Sequence, residues 1–165
     1  MTAQSFAEKN ILMKFGANIK KARQKRNLTL EQLSKLANYD RICLAKLESG
    51  KQNIKLNTAK KLACSLNVTF AMLFIDNDSF SLKLDDVNQL EYIDDDFLGI
   101  FIANFKYHLC NNKNKQIMVY INTSLSAETV SRLNQGKVRN PMLTTLYALA
   151  FTVKKEMSFL FTRIN

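Results

Sequence analysis

The hydrophobic and polar positions of this 165-residue chain follow a helical period in several segments, which are separated by polar breaks. Phe15 is followed by Ile19, Ala22 and Arg23 on one side of the first clear segment, and lysines lie opposite. This three- and four-residue spacing predicts an amphipathic helix, and Asn27 breaks it. Glycine (4) and proline (1) are scarce, which favours helices over a barrel or sandwich rich in tight turns.

A second helix is predicted to begin after Thr29. The string TLEQ (29–32) has the form of a capping box, in which Thr29 accepts from a free backbone amide and Gln32 reaches back. An apolar stripe of Leu33, Leu36 and Ala37 follows. Asn38 comes next, and asparagine tolerates the left-handed conformation that often ends a helix.

A third helix is predicted only about three residues further on. Asp40 is suited to cap it, Leu44 and Leu47 are expected to point inward, and Gly50 ends it. Two more short helices fit residues 57–66 and 69–74. The short connection between the second and third helices is the spacing of a helix-turn-helix.

The chain also carries a weak internal repeat. Three blocks of the first half match three blocks of the second in the same order, at an offset of 86 that becomes 87 after one inserted residue. The matched pairs are 41–51 with 127–137, 58–66 with 145–153, and 71–74 with 158–161. The repeat therefore predicts a second copy of the helical unit.

The second copy is predicted to follow the same plan. Its first helix spans about 97–111 and its second 116–122, and Ser126 caps a third that buries Val130 and Leu133. Pro141 begins a new stretch. The fourth helix is expected to be lined by Leu146, Leu149, Ala150 and Val153.

The predicted domains are residues 1–75 and 97–165, with an acidic linker or extended arm over 76–96. Apolar residues at 80, 82 and 84 alternate with polar ones, which leaves a short strand, a docked arm or a plain linker open. The linker region 75–96 holds eight acidic residues and one lysine, whereas 9–61 holds 14 basic residues and three acidic ones. The basic–acidic–basic layout predicts two polyanion-binding units around a solvated connector.

Other classes of protein find little support in the sequence. No run of 18 apolar residues is present and no signal peptide is recognised, so neither a membrane partner nor secretion is expected. Cys43, Cys64 and Cys110 lack metal-ligand spacing and are interpreted as reduced, small core residues of a cytoplasmic protein. The lone His108 is assigned to packing or the surface. No catalytic motif occurs, so we expect no enzyme activity, metal or cofactor.

The residues FGANIKKARQKRNLTLEQLSKLA, RICLAKLESGK and LACSLNVTFAMLF resemble the lambda-repressor/Cro-like helix-turn-helix family, also called the xenobiotic-response-element family. The resemblance covers 11–75 and, more weakly, 97–162. It implies an all-α fold with two tandem five-helix domains. It also implies a transcriptional regulator, most often a repressor, that binds operator DNA as a homodimer with the third helix in the major groove.

The resemblance also implies a set of DNA-contacting residues in the first copy. Arg41 is placed to read base edges, where an arginine suits guanine, and Ile42 to touch a thymine methyl. Thr29 lies at a helix start whose amides suit a phosphate. The full first-copy set is Thr29, Arg41, Ile42, Ala45, Lys46, Ser49, Lys51, Gln52 and Asn53.

The corresponding set in the second copy is less basic. It consists of Gln116, Ala127, Glu128, Ser131, Arg132 and Lys137. Glu128 suits a cytosine amino group but repels phosphates, and Tyr120 stands where the family has a small residue. Two readings stay open for this copy: a second DNA contact, or dimerisation and partner binding as in an antitoxin-like or anti-repressor module. A single chain acting as a pseudo-dimer is the rival of the homodimer.

Overall fold

The computed structural model describes residues 3–85, 94–110 and 125–163, and in these ranges the chain forms helices joined by short turns and loops, with one isolated β-bridge. The first part contains α1 (Ala3–Lys25), α2 (Leu30–Ala37), α3 (Arg41–Glu48), α4 (Leu56–Leu66), a 3-10 helix (Phe70–Phe74) and α5 (Asn77–Asp85). The second part contains α6 (Phe97–Cys110), α7 (Ala127–Asn134), α8 (Leu143–Thr152) and α9 (Met157–Leu160).

The predicted helix-turn-helix of the first part is confirmed in its detail. The Thr29 hydroxyl accepts from the Gln32 backbone amide at 3.1 Å, and the Gln32 side chain accepts from the Thr29 amide at 2.7 Å. Asn38 ends α2 in the left-handed conformation with φ of 47°. Asp40 then caps α3, because its carboxylate accepts from the Cys43 amide at 2.8 Å. Local sequence therefore sets both ends of the turn.

The core of the first part is made by the inward faces of α1 to α4. Phe15, Ile19, Leu33, Leu44 and Leu47 are all buried, as their spacing predicts. Each such side chain contributes roughly 1.5–3 kcal/mol through burial. α3 is therefore held by its two leucines, with its other face left to solvent.

Two interpretations of the sequence are wrong. Leu36 is not on the buried stripe: it is 60% exposed, because Leu33 and Ala37 already fill the contact between α2 and its neighbours. The cysteines are not core residues, since Cys64 and Cys110 are exposed and Cys43 is half-buried. The short helix predicted over 69–74 is present, as a 3-10 helix.

The connector is also different from the predicted strand or extended arm. Residues 77–85 form α5, which begins after Asp76 accepts a hydrogen bond from the Ser79 amide. Phe80 is buried, and the Lys21 ammonium donates to the Asn77 carbonyl and the Ser81 hydroxyl, both at 3.0 Å. These contacts dock the segment on α1 as a helix. The domain boundaries themselves stay a prediction.

Several features predicted for the second part are present. The Ser126 hydroxyl accepts from the Thr129 amide at 3.2 Å and so caps α7, and Val130 and Leu133 are buried as predicted. Leu146, Leu149 and Ala150 line the buried face of α8, and Val153 is buried just after its end. The helix predicted over 116–122 lies outside the described residues.

Two buried asparagines occupy the same kind of site in the two parts. Asn18 of α1 donates to the carbonyls of Leu73 and Ile75, at 3.2 and 3.0 Å. Asn104 of α6 donates to the carbonyls of Leu160 and Thr162, at 3.0 and 2.9 Å. Each amide therefore satisfies carbonyls that the end of a short helix leaves without an intrahelical donor.

The two parts pack against each other around one aromatic cluster. The rings of Phe74 and Phe161 stack with centroids 5.3 Å apart. Phe15 packs on Phe74 at 5.3 Å, and Phe101 packs on Phe161 at 5.1 Å. Since all four rings are buried, this cluster joins the two parts into one core.

Candidate nucleic-acid interface

The candidate interface is the exposed side of α3. Its predicted base-reading residues Arg41, Ile42, Ala45 and Lys46 are all exposed, and Ile42 is 60% exposed although it is a large apolar side chain. Within the described ranges, neither Arg41 nor Lys46 is held in a salt bridge. The structure thus brings these four side chains together on one accessible surface.

The start of α3 is fixed electrostatically as well as sterically. The Asp40 carboxylate accepts a hydrogen bond from the Cys43 backbone amide. This bond lowers the pKa of Asp40 below its ordinary value. Asp40 is therefore charged at neutral pH, where it complements the positive end of the helix dipole. This cap orients the first turn, on which Arg41 and Ile42 lie.

An ion pair fixes the other end of α3. The Arg23 guanidinium makes two hydrogen bonds to the Glu48 carboxylate, at 2.6 and 2.8 Å, and both side chains are largely buried. The hydrogen bond to Glu48 raises the pKa of Arg23 above its ordinary value. Sequence reasoning placed Arg23 on the inward side but missed this role. The sequence did contain an indication of this pair, because Glu48 is the one acidic residue of α3 and Arg23 was placed on the inward side of α1.

The loop after α3 divides into exposed and engaged residues. Ser49 and Lys51 are exposed, and the Ser49 hydroxyl donates to the Lys46 carbonyl at 2.9 Å. Gln52 is half-buried, and its side chain donates to the Asn53 carbonyl at 3.1 Å. The Asn53 amide donates to the Thr144 hydroxyl at 2.7 Å. The structure therefore directs Asn53 toward the second part of the chain and away from the surface predicted to hold phosphate.

The start of α2 presents an exposed Thr29. On the same helix Glu31 pairs with Lys35 at 2.8 Å, and the hydrogen bond from Lys35 lowers the pKa of Glu31. Both side chains are fully solvated, so this pair contributes little to stability.

The corresponding side of α7 is exposed but differently charged. The Glu128 carboxylate lies 3.6 Å from the Arg132 guanidinium. It therefore offsets the positive charge of Arg132, which is the only basic residue of α7. Ser131 accepts a hydrogen bond from the Gln135 side chain at 3.0 Å. The predicted residues that the structure finds exposed here are Ala127, Glu128, Ser131, Arg132 and Lys137. Gln116 and Tyr120 lie outside the described residues.

The backbone segment after α3 pairs with its counterpart after α7. The Leu56 amide donates to the Pro141 carbonyl and the Leu143 amide to the Ile54 carbonyl, both at 2.9 Å. Asn140 accepts from the Asn57 amide at 2.9 Å. These bonds tie the segment that follows α3 to the one that follows α7.

Comparison with known proteins agrees with this geometry. A family model described as helix-turn-helix, of the lambda-repressor/Cro-like type, matches residues 19–73, which is a third of the chain. That family suggests a DNA-binding transcriptional regulator and is typically non-enzymatic. No curated protein and no solved structure matches the chain significantly.

Two other kinds of site are not formed by the described residues. No three of their histidine, cysteine, aspartate or glutamate side chains come together as metal ligands. Over residues 3–85, 94–110 and 125–163, no helix has the length and apolar character needed for a membrane span.

Proposed function

We propose that this protein is a sequence-specific transcriptional regulator that inserts α3 into the major groove of operator DNA. The observation that carries the proposal is the exposed set Arg41, Ile42 and Lys46 on a helix anchored by buried Leu44 and Leu47, inside the matched residues 19–73. Arginine there suits the O6 and N7 atoms of guanine, and Ile42 suits a thymine methyl. Lys51 lies close to the end of the helix, where it suits phosphate.

The proposal extends to the second part of the chain as a divergent tandem copy, so that one chain is a pseudo-dimer. It is supported by contacts between residues that match in the repeat. Ile54 corresponds to Pro141 in the repeat, and Leu56 corresponds to Leu143. The Leu56 amide donates to the Pro141 carbonyl, and the Leu143 amide donates to the Ile54 carbonyl, so the two hydrogen bonds join equivalent pairs of residues. Phe74 and Phe161 also correspond, and their rings stack. A two-fold relation between matching surfaces is how family dimers present two reading helices.

In this arrangement α7 is the second reading helix. Its exposed face carries Glu128, Ser131 and Arg132, so its half-site differs in sequence from that of α3. We propose repression through occupancy of such an asymmetric operator. The homodimer predicted from the sequence stays the alternative assembly, with four helix-turn-helix units in each particle.

A second candidate function is favoured by one observation on α7. Glu128 is exposed on the outward face and lies 3.6 Å from Arg132, which reduces the positive charge available to phosphate. A helix of this kind suits a protein partner, and the second copy would then be an interaction module of the antitoxin-like or anti-repressor type.

Selection of bound sequences from random DNA tests both proposals with the full chain. The wild-type protein should select two different half-sites, with centres about 34–36 Å apart. Arg41→Ala should relax one half-site and Arg132→Ala the other. If no sequence is enriched by the wild-type protein, the regulator proposal fails. If only the α3 half-site is enriched, the interaction module replaces the second reading helix.

A further inference from the structure

The second part of the chain contains a cavity of about 560 Å³ between α6 and the end of α7. Its walls are mainly apolar, and the residues that matter here are Leu98, Gly99, Ile102, Leu133, Gly136 and Val138. A volume of this size is typical of small-molecule sites, which combine apolar walls with a few polar groups.

The matching place in the first part is filled. A Cβ atom on Gly50 would lie 2.7 Å from the Met13 side chain and 2.8 Å from the Met13 Cα atom, whereas a Cβ on the corresponding Gly136 would meet nothing within 4 Å. Met13 corresponds to Gly99 in the repeat, at the offset of 86. The backbone of α1 therefore lies directly against Gly50, whereas no atom of α6 lies this close to Gly136.

A second difference holds the two helices apart. A Cβ atom on Gly16 would overlap the Leu47 carbonyl, so α1 and α3 can only pack this closely because residue 16 is glycine. The corresponding residue of α6 is Ile102, whose side chain excludes the same approach. Ile102 thus spaces α6 from α7 and leaves a gap between the two helices.

The charged residues that line the cavity carry a net positive charge. Lys106 lines it and donates to the Asn134 carbonyl at 3.2 Å, and the exposed Arg139 lines it as well. Asp96 is the acidic lining residue, and its carboxylate accepts from the Gly99 amide at 3.0 Å as the cap of α6. Two cations against one engaged carboxylate favour an anionic group at the rim.

We propose that this cavity binds a small molecule with an apolar body and one anionic group, such as a carboxylate. The body lies between Ile102 and Leu133, and the anion lies at Lys106 and Arg139. Leu133 and Gly136 belong to α7 and the turn after it, so an occupied cavity fixes the position of α7. The binding claim is independent of the proposed DNA contacts.

The four glycines of the chain provide a direct readout. In a nitrogen-15 amide spectrum of the full chain titrated with octanoate, Gly99 and Gly136 should shift saturably, while Gly16 and Gly50 stay in place. The neutral isostere 1-octanol should bind more weakly. In Arg139→Gln the dissociation constant for octanoate should rise about fivefold, the effect of a partly exposed ion pair, with 1-octanol unchanged.

Two variants fill the cavity. Gly99→Met introduces the residue of the first part and also displaces the Asp96 carboxylate, which a Cβ atom at residue 99 would overlap. Ala103→Phe fills the space from another lining position without altering the α6 cap. Either variant that retains the Gly16 and Gly50 signals should lose the octanoate shift of Gly136. The proposal is overturned if wild-type protein shows no saturable shift, if all four glycines shift together, or if folded filled variants bind with wild-type affinity. Equal affinity for octanoate and 1-octanol would overturn the assignment of the anionic group.

Discussion

Lys55 and Met142 face each other in an antiparallel β-bridge, and they occupy the same position of the internal repeat, 87 residues apart. The side chains that flank the bridge are paired in the same way. Asn53 reaches Thr144, and the matching Asn140 accepts from the amide of Asn57, which is the residue that corresponds to Thr144. Contacts between equivalent residues are what the proposed pseudo-dimer requires, because an isologous interface joins matching surfaces.

The first prediction separates base reading from phosphate binding. Arg41→Ala should cost about 1–3 kcal/mol of binding free energy and relax the preference at one base pair, because a bidentate contact to guanine is lost. Lys51→Ala should weaken binding to all sequences alike and reduce the slope of log affinity against log salt by about 1. Titration of labelled duplexes at several salt concentrations measures both. An unchanged base preference in Arg41→Ala would contradict the orientation of α3.

The second prediction concerns the anchoring of α3. Leu47→Ala should lower the free energy of unfolding by about 2–5 kcal/mol, because Leu47 is buried against α1 and α2. Leu36→Ala is the matched control. Leu36 lies on the neighbouring α2 but is exposed, so its removal should change stability by no more than about 0.5 kcal/mol. Urea unfolding followed by circular dichroism compares the two, and equal losses would be incompatible with the observed burial.

The third prediction uses the second part of the chain as a template for the first. Glu48→Ala should cost about 3–5 kcal/mol, since it leaves the largely buried Arg23 guanidinium without its carboxylate. The corresponding residues of the second part are Leu109 and Asn134. Arg23→Leu combined with Glu48→Asn should therefore be less destabilising than Glu48→Ala alone. The same unfolding measurement tests this, and a double variant that is less stable than the single one would rule out desolvation as the cause.

The fourth prediction concerns pH and the lone histidine. Burial, and to a smaller extent Lys155, lowers the pKa of His108 below its ordinary value. The unfolded chain therefore binds a proton at a higher pH than the folded chain does. Stability is full above the unfolded-state pKa of about 6.5 and is lost as the pH falls toward the folded-state value.

The melting temperature should accordingly fall when the pH is lowered from about 7.5 to about 5.5. Over that range the described carboxylates with lowered pKa, such as Asp40 and Asp95, stay charged. His108→Phe is the control, because it retains a ring against Phe159 but cannot be protonated. If the variant keeps the full wild-type pH dependence, His108 is not its source.

Much of the first part could be predicted from the sequence because its signals are local. The capping box at Thr29, the left-handed Asn38 and the cap at Asp40 each depend on residues within one turn, and all three are confirmed. The inward position of Leu44 and Leu47 followed from the same register. The exposure of Leu36 did not, because periodicity does not show how wide the buried stripe of a short helix is.

The contact between the two parts could not be predicted in the same way. Phe74 and Phe161 lie in the matched blocks 71–74 and 158–161, and nothing in a hydrophobic pattern distinguishes a core residue from an interface residue. A usable signal was present in the polar residues: the strings FGAN (15–18) and FIAN (101–104) both carry the buried asparagine. Matching polar residues in a repeat would have indicated shared tertiary contacts. Helix α5 was missed because its apolar spacing resembles a strand.

The mass of the particle tests the pseudo-dimer most directly. Light scattering at micromolar concentration should give about 18.9 kDa for the free protein, and one chain on each operator duplex when DNA is added. The matching surfaces around Phe74 and Phe161 are already used within the chain, so no second chain is needed to present two reading helices. Twice that mass in solution, with two chains on each operator, would contradict the pseudo-dimer and support the homodimer.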